Sequence, residues 1–244
     1  MQWNSPFEGL RTLNDHIRAL QLHYNYIELQ EIPLGYIIDN VLERDGATYA
    51  PKTVLETFQY VSIIDILKLV ISNKNIRDAV ESQSSPSETE LKSFVDGDNF
   101  KSHPLFQAFP KAIRIFFYHD ELEIVNPLLG SKAGVHKIGA FSVKFQNIPD
   151  QANSDLPSIH ALIVCKYEDS KMCGFANILE PFLHDLDLLE SEFGVETFVH
   201  EVKYVLHGTV TQFCGDTLAV MEVFKNVVDL KKSCNFVQGS KIIV

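Results

Sequence analysis

The sequence predicts an α/β fold in which a helical N-terminal region precedes an incomplete mixed β-sheet. Residues 7–30 and 53–82 carry apolar side chains spaced three and four apart, which is typical of amphipathic helices. Short apolar runs at 113–119, 137–148 and 157–167 are typical of strands. Segment 174–194 has the strongest helical pattern in the chain. The second half is therefore predicted to run strand, strand, strand, helix, strand, helix.

The N-terminal region, residues 1–95, is predicted to contain only helices and loops. Its stretch from 31 to 52 holds two prolines and two glycines, which favours an irregular connector. The polar composition around 81–95 predicts a flexible loop. Residues 96–244 are then expected to form the α/β core.

The boundaries of the last predicted helices and strand follow from residues that cap or interrupt helices. Pro181 lies inside the helical pattern, where it indicates a helix start or a kink. The fourth strand is expected to end near Gly215, and 217–232 to be a helix capped by Asp216 or Thr217. Three consecutive strands, followed by a helical crossover to a fourth strand beside the first, form the opening topology of an RNase-H-like fold.

Two acidic residues stand at the ends of the first and fourth predicted strands. Asp120 follows the run AIRIFFYH, and Asp216 follows VTQFCG. Neighbouring strands would bring these carboxylates to one edge of the sheet, where carboxylate oxygens suit magnesium. Simpler interpretations remain open, because Asp120 fits a solvated strand end and Asp216 fits a helix N-cap.

Charge and composition restrict the classes of partner. The 244 residues include 32 acids against 21 lysines and arginines, a net charge of −11, whereas DNA-binding domains usually carry a basic face. This chain is therefore expected to bind DNA weakly or not at all by itself. It has no apolar stretch long enough for a membrane helix and no secretory signal, which predicts an intracellular protein, nuclear or cytoplasmic.

Other candidate sites have weaker support. The four cysteines lack CxxC spacing, and Cys165 and Cys214 lie in apolar runs that predict small buried side chains. Glu180, His184 and Asp187 share a helix face that suits either a metal or, more simply, solvent. The glycine-containing run GSKAG at 130–134 suits either a phosphate contact or an ordinary turn.

Several runs, in order along the chain, resemble transposon-derived proteins of animal genomes. The family pattern of HPLF, YYDD, NPLGSK, HKLGAF, ILEP and GDNL is matched here by these stretches: VDGDNFKSHPLF, FFYHDELEIVNPLLGSKAGVHKIGAFSVKFQNIP, NSDLPSIHALIV, CGFANILEPFLHDLDLLE and CGDTLAVMEVF. The start is similar as well, in SPFEGLRT, HYNYIELQEIPLG and TFQYVSIIDIL. The resemblance therefore covers nearly the whole chain.

The resemblance implies the core of a DDE-type DNA transposase with an RNase-H-like fold. Such enzymes hydrolyse and transfer phosphodiester bonds of DNA with two magnesium ions. By position, Asp120 is the first catalytic and metal-binding carboxylate and Asp216 the second. DNA is the partner that the resemblance implies for an ancestral full-length protein.

Departures from the family pattern predict that the chain is inactive by itself. His119 and Glu121 flank Asp120 where the family has Tyr and Asp, and Thr217 replaces Asn. No third acid stands out downstream of Asp216, and the chain ends in SCNFVQGSKIIV, which indicates a truncated core. An incomplete sheet favours self-association. A non-catalytic interaction module, or a remnant that folds poorly, is the alternative interpretation.

Overall fold

A computed structural model describes residues 12–23, 26–42, 48–82, 90, 93–123, 137–148 and 158–215. The helices in these ranges are α1 Leu13–His23, α2 Ile63–Ser72, α3 Lys74–Glu81, α4 Asp98–Ser102, α5 Pro104–Ala108, α6 Tyr167–Cys173 and α7 Phe175–Glu190, with a 3-10 turn at Phe94–Asp96. The strands are β1 Gln30–Leu42, β2 Tyr49–Tyr60, β3 Ile113–Glu123, β4 Lys137–Phe145, β5 His160–Lys166, β6 Val195–Val199, β7 Val202–Leu206 and β8 Gly208–Cys214.

Six of the strands form one mixed sheet in the order β1-β2-β5-β4-β3-β8. All neighbours are antiparallel except β3 and β8, which are parallel. The three-strand meander predicted for β3, β4 and β5 is confirmed, as is a later strand beside the first of them. The chain between β5 and β8 contains α6, α7 and a separate two-stranded sheet of β6 and β7.

The hairpin of β1 and β2 corrects the prediction for the N-terminal region. The irregular connector predicted for 31–52 and the helix predicted for 53–60 are wrong, because residues 31–42 and 49–60 form the two strands of this hairpin. Pro33 is tolerated because β1 is an edge strand of the sheet formed by the described residues, and the register shifts between Pro33 and Gly35. Since β2 also pairs with β5, the sheet crosses the boundary predicted at residue 95.

Helices α2 and α7 cover one face of the sheet. The prediction of a helix at 174–194 is confirmed by α7, which continues through Pro181 without a break. The helix predicted for 7–30 is shorter, and α2 begins only at Ile63. The main apolar core lies between these helices and the sheet, and the ring of Phe182 from α7 stacks on Phe117 of β3 at 4.8 Å. The described helices include none that is long and apolar enough to cross a membrane.

Some predicted segments fall outside the described residues. These are most of the loop predicted at 81–95, the run GSKAG at 130–134 and the helix predicted at 217–232. Within the described part of 93–112, a smaller apolar cluster forms around Phe100 and Phe106, whose rings stack at 4.6 Å.

A partly buried hydrogen-bond network ties the N-terminal hairpin to α7. The hydroxyls of Tyr60 and Ser62 both donate to the Asp185 carboxylate, at 2.8 and 2.6 Å. Tyr60 is almost fully buried, and burial together with the Asp185 charge raises the pKa of its hydroxyl above the ordinary range. The hydroxyl therefore remains a donor, and the network fixes the end of β2 against α7.

Replacing Asp185 with alanine should destabilise the fold by about 1–3 kcal/mol, because two hydroxyls lose their acceptor in a mostly buried position. Urea denaturation measures the free energy of unfolding. Asp187→Ala is the matched control, since Asp187 lies exposed on the same helix and the substitution changes helix propensity equally. Equal effects of the two substitutions would show that the network contributes nothing.

Candidate functional site

Asp120 lies near the carboxyl end of β3, the strand at the junction between the antiparallel and parallel parts of the sheet. The buried side chains of Ile115 and Phe117 place the opposite strand face in the core. Because side chains alternate along a strand, Tyr118 and Asp120 project from the other face and are exposed. β3 continues for three residues beyond Asp120 to Glu123, so Asp120 lies within the strand, near its carboxyl end, and not after it as predicted.

Local hydrogen bonds hold the Asp120 carboxylate. The Tyr118 hydroxyl donates to one oxygen at 3.2 Å, and the Glu121 backbone N–H donates to the other at 2.8 Å. On β4, the residue opposite Asp120 is Ala140, whose small side chain leaves the carboxylate uncrowded. The carboxylate is therefore oriented and open to solvent, as a ligand for an external cation must be.

The neighbours of Asp120 in the sequence point to the core side. His119 is buried, and its ring lies 4.3 Å from the Phe141 ring and 5.4 Å from that of Phe175. Glu121 is half-buried, and its carboxylate accepts from Lys137 Nζ at 3.2 Å. Alternation along β3 thus separates the two consecutive acids, so that Asp120 and Glu121 do not act as one paired site.

The second predicted ligand, Asp216, lies outside the described residues. The strand that leads to it, β8, pairs in parallel with β3, and the last described pair is Tyr118 with Cys214. Cys214 is exposed, so the prediction that it is a small buried side chain is wrong. It is the last residue of β8, the outermost strand among the described residues on that side of the sheet, and its side chain meets solvent.

The remaining predicted candidates have no catalytic geometry in the described ranges. Glu180, His184 and Asp187 are all exposed on α7, which confirms the solvent-facing interpretation. Cys165 is buried as predicted, and burial followed by the charge of Asp169 raises the pKa of its thiol to about 12. A thiol of this kind is inert as a nucleophile near neutral pH. The GSKAG turn lies outside the described residues.

A buried charge cluster joins β2 to the start of α6. Glu56 is almost fully buried and accepts from Lys166 Nζ at 2.5 Å. Asp169 is also buried, and burial followed by the charge of Glu56 raises its pKa. The sequence pattern did not predict this cluster, although Val54, Glu56 and Phe58 alternate toward the core within the strand at 49–60.

The described part of the chain contains no group of three or more His, Cys, Asp or Glu side chains positioned to hold a metal ion. Of the two predicted magnesium ligands, Asp120 lies in the described part of the chain and Asp216 does not. No protein-family model matches the chain, and no curated protein matches it significantly. The interpretation of Asp120 consequently depends on the strand geometry and on the sequence runs around it.

Proposed function

We propose that this chain is a derivative of the RNase-H-like catalytic core of a DDE-type DNA transposase, with Asp120 and Asp216 as its two inherited magnesium-binding carboxylates. The observation that carries the proposal is the parallel pairing of β3 with β8. The last described pair is Tyr118 with Cys214, and each of the two acids lies two residues further along its own chain. A register continued to those positions would make the carboxylates neighbours.

The strand order also supports this origin. The order β5-β4-β3-β8, with an antiparallel meander and a parallel fourth strand reached through helices, is the opening arrangement expected of an RNase-H-like sheet. Ligands of open α/β sheets bind near the carboxyl ends of such parallel strands. Asp120 lies beyond the last described parallel pair, Tyr118 with Cys214, and three residues before the end of β3. Magnesium held there would polarise a phosphodiester and activate its attacking oxygen.

The same site does not support autonomous catalysis. Asp120 is adjacent on β3 to a buried histidine and to an acid already paired with Lys137. A net charge of −11 repels the phosphate backbone, from which DNA-binding proteins obtain most of their affinity. The function proposed for the isolated chain is therefore weak magnesium binding without strand cleavage.

A second candidate function is a non-catalytic interaction module, favoured by exposed apolar side chains on the N-terminal hairpin. Tyr36 and Ile38 of β1 are 75% and 78% exposed, and Leu55 lies beside Tyr36 on β2 and is also exposed. Large apolar side chains grouped on one strand face are typical of protein contact surfaces. This function needs no metal, so Asp120 substitutions would leave it intact.

Magnesium titration followed by amide chemical shifts tests the proposal. We expect saturable shifts at residues 118–121 and at the end of β8, and their loss in Asp120→Asn, because the amide removes the charge that attracts the cation. Asp98→Asn is the matched control, since Asp98 is an exposed acid on α4. Shifts that persist in Asp120→Asn would refute the site.

Cleavage of supercoiled plasmid DNA in magnesium or manganese tests the second half of the proposal. The wild-type chain should leave the plasmid intact under conditions in which a magnesium-dependent nuclease nicks it. Nicking that disappears in Asp120→Asn, but not in Asp98→Asn, would show instead that the chain retains catalytic activity.

A further inference from the structure

A cleft of about 400 Å³ opens at the end of the sheet opposite Asp120, beside the start of β3. Clefts of this size accommodate small-molecule ligands. Its walls come from α3, from the connection between α5 and β3, and from β7. The apolar residues of its floor are Ile71, Val80, Ala112, Ile113 and Leu206.

Aromatic rings form one wall of the cleft. Phe109 and His207 stack face to face, with ring centres 3.5 Å apart and planes at 10°. Tyr204 of β7 lines the cleft as well. Flat stacked rings beside an apolar floor favour a flat ligand body, because planar groups bury the most area against such a wall.

Arg77 provides a fixed cation at this wall. Its Nη1 donates to the carbonyl oxygens of Ile71 and Ser72 at 2.6 and 2.7 Å, which anchors the guanidinium to the end of α2. The carbon at the centre of the guanidinium lies 5.9 Å from the Tyr204 ring. Within the described residues Nε and Nη2 of Arg77 make no hydrogen bond. The edge of the guanidinium group that carries both nitrogens is therefore available to donate two hydrogen bonds to one oxyanion.

The charged side chains that line the cleft favour a ligand with a single negative charge. Lys111 and Glu81 form an ion pair there. Together with Arg77 they give two cations against one carboxylate, a net charge of +1. A monoanion balances this charge, whereas a phosphate dianion would exceed it beside Glu81.

We propose that the cleft binds a small aromatic carboxylate, with its carboxylate on the free edge of Arg77 and its ring against Phe109 and Tyr204. This site is separate from Asp120 and does not depend on magnesium. The anchored guanidinium and the stacked wall are formed without a ligand, so little ordering cost opposes binding.

Titration with indole-3-acetate, followed by amide chemical shifts, tests the cleft. We expect saturable shifts at residues 77–81, 109–113 and 204–207. The matched probe is indole-3-acetamide, which has the same ring and shape without the charge. It should bind about tenfold more weakly, because the charge-assisted bidentate contact is lost.

Two variants separate ligand recognition from folding. Arg77→Lys keeps the positive charge but loses the paired N–H donors of the guanidinium group, and should weaken indole-3-acetate binding about tenfold. Val205→Trp introduces a bulky side chain from an exposed strand position at the cleft, and should block binding while the fold remains. Arg18→Lys, on the exposed surface of α1, should have no effect. Equal binding of acid and amide, or no saturable shifts in the cleft, would overturn the proposal.

Discussion

Replacing Phe117 with alanine should destabilise the protein by about 3–5 kcal/mol, a large part of the total stability of a typical domain. The Phe117 ring is fully buried at the centre of the core. It stacks on Phe182 at 4.8 Å and on Phe141 at 5.5 Å, and lies 5.4 Å from Phe213. Truncation therefore leaves a cavity between the sheet and α7 that rigid aromatic neighbours cannot fill.

Urea denaturation of three variants measures this contribution. Phe198→Ala is the control for loss of a phenylalanine, because Phe198 is 68% exposed on β6, and we expect an effect within about 0.5 kcal/mol. Phe117→Leu keeps most of the volume, and its effect should fall between the other two. If Phe117→Ala were as stable as Phe198→Ala, the packing of α7 against β3 would have to be different.

The prediction of the core strands succeeded where burial is continuous. Residues 113–117 and 141–145 are buried or half-buried, so their apolar runs reflect the structure directly. Helix α7 was predictable for the same reason, since Ile178, Phe182 and Leu186 all face the core. The helix continues through Pro181, its seventh residue, and the residues on both sides of Pro181 contribute to the buried face.

The N-terminal hairpin was not predicted, because its local signals oppose its structure. Proline and glycine residues such as those in β1 are typical of loops, so the local sequence predicts a loop there. The register shift that accommodates them in a strand depends on pairing with β2. In β2, Glu56 interrupts the apolar alternation, and its burial depends on Lys166, which is distant in sequence. Long-range pairing decided the structure at both points.

The candidate site was predictable only in part. The run before Asp120 predicts a strand that leads to it, whereas its separation from Glu121 follows from alternation along β3, which continues past both residues to Glu123. The cleft around Arg77 could not be predicted, because its wall comes from three separated segments of the chain. In the sequence, Arg77 is one basic residue in a polar helix.

The second large effect is expected at Gly194, in the turn between α7 and β6. Gly194 has a φ of +60°, and its N–H donates to the backbone of Ser191. A Cβ at this position would lie 2.6 Å from His207 Cε1 and 2.7 Å from the Leu206 carbonyl oxygen. Gly194→Ala should therefore destabilise the protein by about 2–5 kcal/mol. Forcing alanine into the left-handed backbone conformation costs about 1–2 kcal/mol, and the steric overlap of its Cβ costs about 1–3 kcal/mol.

A double-mutant cycle with His207→Ala separates the two costs. Removing the imidazole removes one of the two overlaps, so Gly194→Ala should cost less in that background, by about 1 kcal/mol or more. Gly174→Ala gives an upper limit for the backbone term, because Gly174 has a φ of +78° and a ψ of 151°, a region almost exclusive to glycine, and no neighbouring atom lies within 4 Å of its Cβ position. If the losses of stability caused by Gly194→Ala and His207→Ala were additive in the double variant, the turn would not pack on His207. Because His207 stacks on Phe109, non-additivity would link this turn to the wall of the cleft.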